Sequence, residues 1–285
     1  MVRNGLKQGK ATSNKQQNGK RMDAKKILDF SALLKQLCSS SLACLVFSII
    51  SFQSIGQTNT LRIAVASSFT PVLEKVAPAF SDKHQVKLEF ISASSGTLFQ
   101  QIMYGAPFDL FLSADSKRPE TLVNNQRVIS NSLYTYAQGQ LALFSKELKP
   151  LNQGLLENYA GKFAIANPKT APYGTAAKEV ISKLNLTDKL PLITGQNVAQ
   201  TYQQLQSGSV SLGIVSLGQL ALNSQSGWLI PQRYYAPILQ KMVIPKQSRN
   251  VQLSREFQQY ILSQEVQDQF SHWGFKPIAN DRERS

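Results

Sequence analysis

The sequence predicts an α/β protein built from two successive units, each with a largely parallel sheet and helical crossovers. Three observations carry this. Short β-branched or apolar runs alternate with segments of helical period, the alternation restarts once near the middle, and no low-complexity linker separates the two series. Strand followed by helix followed by strand is how a chain builds parallel neighbours, because the crossover has to return along one face of the sheet.

In the first unit, "LRIAVASS" (61–68) is a strand ending in small hydroxyls, and Phe69, Val72, Leu73, Val76 and Phe80 then recur at helical spacing. "VKLEFISAS" is the next strand, leading into a helix over 96–104. "FDLFLSAD" (108–115) is the third, with Asp115 or Ser116 able to cap the helix after it. The second unit repeats the scheme. Strands are expected at 141–144, at "KFAIANP" (162–168), at "KLPLITG" and at "VSLGIVSLG". Between them, "GTAAKEVISKLNL" turns Ala177, Val180, Ile181 and Leu184 to one side, and "NVAQTYQQLQSG" turns Val198, Tyr202 and Leu205 inward. "APILQKMVIP" (236–245) is a further strand. One amphipathic helix with Phe257, Tyr260, Ile261 and Phe270 closes the chain, and "NDRERS" is a solvated tail.

The first sixty of the 285 residues read differently. Nine Lys/Arg against Asp23 and Asp29 fall within 1–35, residues 36–60 carry no charge, and "LACLVFSII" is a short apolar heart. A basic leader, a short core and the small residues of "SIGQ" match an export signal, residues 1–56, cut after Gly56; Met22 is a second candidate start. The uncleaved alternative is an anchor, but a spanning helix wants roughly 20 apolar residues. A lipoprotein site at Cys44 would want leucine where Ser41 stands. Cys38 and Cys44 leave with the leader, so the remainder has no thiol, disulfide or cysteine-based metal site. The whole chain has a net charge of +14, divided equally between residues 1–56 and the rest. The basic residues of the remainder are scattered, which argues against a nucleic-acid partner.

Several strands end in hydroxyls or turn residues just before a helix. Ser67 and Ser68 precede one, Ser94 and Ser95 another; Pro172, Tyr173 and Gly174 open a third, and Asn197 and Val198 a fourth. In an open α/β sheet the carboxyl ends of the strands line the ligand crevice. First-turn amides there are unpaired and carry roughly half a positive charge, and serine hydroxyls add donors that rotate to suit. Together they form an anion site without a basic side chain. The simpler reading of each turn is a helix cap, for which Ser and Asn are preferred. Hydrogen bonds to a charged partner contribute about 1.5–3 kcal/mol each, so five or more leave room for tight binding. A lining of donors also favours a fully deprotonated dianion over an ion that brings its own proton.

The blocks "AVASSFTPVLEKVAPAF", "ISASSGTLFQQIMYGAPFDLFLSAD", "AIANPKTAPYGTAAKEV" and "LGIVSLGQL" resemble the periplasmic molybdate-binding proteins of ABC transporters, in the family's order from about Leu61 to Phe275. The resemblance implies the two-lobed type II periplasmic binding protein fold, each lobe a mixed or parallel sheet flanked by helices, with the ligand cleft between them. On this basis 57–140 and 236–285 form lobe I and 141–235 form lobe II. It implies Ser67, Ser68 and Ser95 as hydroxyl donors, and Tyr173 and Val198 as backbone donors, to molybdate or tungstate. No cation site and no further cofactor are implied. Partners would be the permease and ATPase of an importer, the location the periplasm, and the state monomeric. Where some members carry a contacting tyrosine after "LGIV", this chain has Ser216, and the Tyr173 phenol is the candidate replacement.

Two other functions compete. A binding protein for another oxyanion, such as sulfate, differs only in cavity size. A catalytic member of the same fold would need a nucleophile and base, yet the chain has only His84 and His272, neither beside a serine turn, and no Gly-x-Ser-x-Gly elbow. Asp109 reads as structural and Asp115 as a cap.

Overall fold

The computed structural model describes residues 60–276 and 278; the leader with Cys38 and Cys44, and the charged tail, lie outside them. Two five-stranded mixed sheets, each flanked by helices, give the two-lobed architecture. Sheet I has the order β2-β1-β3-β10-β4, from β1 (Thr60–Ala66), β2 (Lys87–Ala93), β3 (Leu110–Ser113), β4 (Tyr134–Gly139) and β10 (Ile238–Val243). Sheet II has the order β7-β6-β8-β5-β9, from β5 (Leu141–Phe144), β6 (Phe163–Ala166), β7 (Leu192–Gly195), β8 (Leu212–Ser216) and β9 (Trp228–Leu229).

The two sheets share a plan. β1 is parallel to β2 and β3, and β6 is parallel to β7 and β8, while β10 and β5 run antiparallel to their neighbours. The antiparallel strands lie where the chain passes between sheets, directly from β4 to β5 and again ahead of β10. Burial follows position. β3, β5, β6 and β8 are buried along their whole length, whereas edge strand β2 keeps exposed residues between half-buried ones.

Register sets the level at which the turns emerge. Ala66 pairs with Ala93, so the Ser67-Ser68 and Ser94-Ser95 turns leave sheet I side by side. Ala166 pairs with Gly195, which does the same for the turns at Asn167 and Gln196 in sheet II. The helices that follow are α1 (Thr70–His84), α2 (Ser95–Met103), α5 (Pro172–Lys183) and α6 (Val198–Gln206). Between them in sequence are α3 (Lys117–Asn124) and α4 (Gln153–Asn158); α7 (Leu217–Leu222), α8 (Val251–Ile261) and α9 (Gln264–His272) come later.

The core beneath sheet I is aromatic. Phe69 meets Tyr136, Phe270 and Phe275 edge-on, at centroid distances of 4.7, 5.4 and 5.3 Å. Such pairs contribute about 0.5–1.5 kcal/mol each beyond their burial. Phe69 follows Ser68 directly, so this cluster pins the turn that carries the serines.

Three expectations need correction. The closing helix is two helices, broken at Leu262 and Ser263, with the Ser263 hydroxyl donating back to the Tyr260 carbonyl at 2.7 Å. The "VSLGIVSLG" strand stops at Ser216, whose side chain caps α7 by accepting from the Gly218 amide. β4, β9 and α4 had no expected counterpart of their own. His84 pairs with Glu256 and stacks on Phe80, and His272 is exposed, so both lie in the outer helices.

Candidate functional site

The residues at the four turns converge on one small, tight cleft, lined by Ser67, Ser68, Ser95, Tyr173 and Val198 together with Ala66, Ala93, Ser94, Ala114, Ala171 and Pro172. No charged side chain is among them. All five candidate residues are buried.

The first turn does not cap its helix. The residue at the start of α1 is Phe69, and no side chain bonds the first-turn amides there. The Ser67 amide donates to the Ala93 carbonyl at 2.9 Å, tying the turn to the end of β2. Ser68 is 1% exposed, and its hydroxyl has no partner with hydrogen-bonding geometry. An orphaned hydroxyl in the interior costs about 1–3 kcal/mol, an arrangement expected where a ligand completes it.

The second turn divides its serines between two tasks. Ser94 is the cap, accepting from the Thr97 amide at 3.2 Å and bonding the Thr97 hydroxyl at 2.8 Å. Ser95, fully buried, accepts from the Ala114 amide at 2.9 Å. That bond occupies the Ser95 oxygen and leaves its hydrogen to donate.

The opposite wall is the start of α5 and α6. Pro172 opens α5, where its missing N–H loses nothing. Gly174 lets the helix begin close against β6, since a Cβ there would sit 2.1 Å from the Ala166 oxygen. Asn197 caps α6, accepting from the Gln200 amide at 2.9 Å. The amides of Ser68, Ser95, Tyr173 and Val198 have no acceptor among the described residues, as first-turn geometry dictates for the last three. Three helix N-termini therefore contribute positive potential to a cavity with no formal charge.

The Tyr173 phenol reaches past the cavity toward the strands that pass between sheets. Its oxygen accepts from the Gln240 amide at 3.0 Å, and Ser216 and Ser68 lie against it. Burial pushes the phenol well above its ordinary value, and the neighbouring hydroxyls and amide offset only part of that. It is a neutral donor throughout the physiological range. Ser216 thus sits beside the phenol, with its own hydroxyl oxygen engaged by the Gly218 amide at 3.2 Å.

Contacts across the cleft close the site. The Gly96 amide, in the first turn of α2, donates to the Thr170 carbonyl at 2.8 Å. A Cβ on Gly96 would stand 2.9 Å from the Thr170 backbone, so glycine permits the approach. Arg118 pairs with Asp115 and donates to the Lys169 carbonyl at 3.3 Å, keeping its charge at the rim. Asp109, read as structural, accepts from Ser248 and from the Arg249 and Asn250 amides far from the cavity.

Reading the sequence alone missed Ala114, Gln240 and Tyr136. For Gln240 a signal existed: it is a polar residue at an inward position of the "ILQKMV" strand, alternating with the apolar Ile238 and Met242, and it is fully buried. Among the described residues, no group of three or more His, Cys, Asp or Glu could hold a metal ion.

Known proteins match this chain along nearly all of the described length. The molybdate-binding protein of Azotobacter vinelandii is 34% identical over 229 residues, 77% of this chain and 91% of that protein. The molybdate-binding protein of Rhodobacter capsulatus is 32% identical over 217 residues, 74% of this chain and 86% of its own. The solved structure of the Azotobacter vinelandii periplasmic molybdate-binding protein superposes with a TM-score of 0.73 at 32% identity, covering 77% of this chain and all of that one. Residues 61–276 match the model of one family, and the chain belongs to it: the bacterial extracellular solute-binding proteins.

Proposed function

We propose that this protein captures molybdate, and its near-isostere tungstate, in the cleft between its lobes and delivers the ion to an ABC importer. The observation that carries the reading is the cavity itself. An unpaired buried Ser68 hydroxyl, the free hydrogen of Ser95 and the amides of Ser68, Ser95, Tyr173 and Val198 meet in one small cleft with no charged side chain. Such a lining suits a bare dianion, whose oxygens accept every donor offered. Two relatives above 30% identity whose names give molybdate as the bound ion support the choice of anion.

Ser67 adds a hydroxyl at the cavity wall, and no cation or further cofactor takes part. Lobe I comprises 57–140 with 236–285 and lobe II 141–235, a division supported by the strands each sheet draws on. The partners are a membrane permease with its ATPase, the working form is a monomer, and the basic, apolar N-terminus exports the chain to the periplasm.

Thermal unfolding in the presence of molybdate, tungstate, sulfate and phosphate tests this. Ligand at about 100 times its dissociation constant stabilises by about 2.7 kcal/mol. Molybdate and tungstate should raise the midpoint by several degrees, and phosphate should leave it unchanged. A shift with sulfate alone would assign the cavity to the smaller ion.

A further inference from the structure

Gln240 is buried completely in β10, at the place where the pairing of β10 with β4 slips between Gln240 and Lys241. Both ends of its side chain are engaged. Its Oε1 accepts from the Tyr136 hydroxyl at 2.9 Å, and its Nε2 donates to the Tyr173 oxygen at 3.0 Å. The same Tyr136 hydrogen is shared with the Ser113 carbonyl, 3.1 Å away. Tyr136, Ser113 and Gln240 belong to sheet I, whereas Tyr173 opens α5 on sheet II. One polar chain therefore runs between the lobes through the interior and ends at the candidate site.

Space for the chain is reserved by Gly139, the last residue of β4. A Cβ there would lie 2.2 Å from the Tyr173 hydroxyl and 2.9 Å from Gln240 Nε2. The direction of the bonds matters for the anion. With the phenol oxygen accepting from Gln240, its hydrogen is left for the other side, where the Ser216 and Ser68 hydroxyls lie against it and Ser68 lines the cavity.

We propose that Gln240 is a positioning residue of the anion site: it holds the Tyr173 phenol as a donor directed away from β10, toward the Ser216 and Ser68 hydroxyls. The hydrogen bond that Gln240 makes between lobes ties anion affinity to the strands that join them. This rests on the proposed function, and concerns affinity and closure rather than direct contact with the ion.

The test is a double-mutant cycle read by calorimetric titration with molybdate, using wild type, Gln240→Leu, Tyr173→Phe and the double variant, with Gln240→Met as a second apolar replacement of similar length. Melting of each without ligand is measured alongside. Each single variant should bind about tenfold or more weakly, as for one lost hydrogen bond to a charged partner. The double variant should bind no more weakly than Tyr173→Phe alone, because Gln240 acts only through the phenol. Gln240→Glu should lose more than Gln240→Leu, since a carboxylate captures the phenol hydrogen and repels the anion. Equal losses from Gln240→Leu or Gln240→Met in both backgrounds, or full affinity in Tyr173→Phe, would overturn the proposal. Wild type failing to bind molybdate would instead overturn the functional reading beneath it.

Discussion

The β1–α1 and β2–α2 turns both carry Ala-Ser-Ser, yet the two doublets do different work. At the first, neither serine caps the helix and the Ser68 hydroxyl is left unpaired in the interior. At the second, Ser94 caps and Ser95 is locked by the Ala114 amide. The difference lies in the residue that follows. Phe69 is anchored in the aromatic cluster of sheet I, so packing rather than capping holds the turn. Gly96 has no side chain to anchor, so its turn needs the cap, and the same lack of a Cβ lets the opposite lobe approach to hydrogen-bonding distance. A serine doublet before a helix thus has no fixed role; the third residue decides which hydroxyl is free.

The comparison can be broken at several points. The largest effect is expected from Phe69→Ala, which removes a fully buried ring that meets three others and should cost about 3–5 kcal/mol of stability in urea titration, with anion binding lost alongside. Gly96→Ala should weaken molybdate binding by about 1–3 kcal/mol, because the new methyl would stand 2.9 Å from the Thr170 backbone and push the two walls of the cleft apart. Unchanged affinity there would mean the cross-cleft contact plays no part in binding. Ser94→Ala should cost about 1 kcal/mol of stability, the usual loss of a helix cap, and change affinity little. A large affinity loss would place Ser94 among the ligand donors.

The smallest effect is expected from pH. No titrating side chain with an ordinary value near neutrality lines the cavity, so affinity should stay flat from about pH 7 to about pH 9. Stability should respond only higher. Burial raises both the Tyr136 and the Tyr173 phenol above the ordinary value. Once the pH passes about 10, the unfolded chain releases these protons while the folded chain keeps them, so stability falls as pH rises. A midpoint that rose above that pH would contradict the assignment of both phenols as buried and neutral.

Much of this was legible in the sequence because each feature has a local cause. Apolar period placed β1, α1 and β6, and the hydroxyls and Pro172 marked the turns that the strand register then brought level. What could not be read depends on partners distant in sequence. Ser94 and Ser95 are equivalent in pattern, and only the Ala114 amide, nineteen residues on, separates their roles. Ser216 looked like a strand residue because the apolar run continues through Leu217, but the side chain turns to cap α7. The break at Leu262 and Ser263 is invisible to periodicity, since Ile261 and Val266 are both buried on the two sides of it. Gln240 bonds a tyrosine 104 residues away on one side and another 67 residues away on the other.

Calorimetric titration of molybdate into wild type and Ser68→Ala tests most directly whether uncharged donors hold the ion. Wild type should give saturable one-to-one heat, and Ser68→Ala should bind at least about tenfold more weakly while its melting without ligand changes little, because its hydroxyl makes no hydrogen bond of good geometry within the protein. No heat with wild type, or equal affinity in the two proteins, would contradict the account.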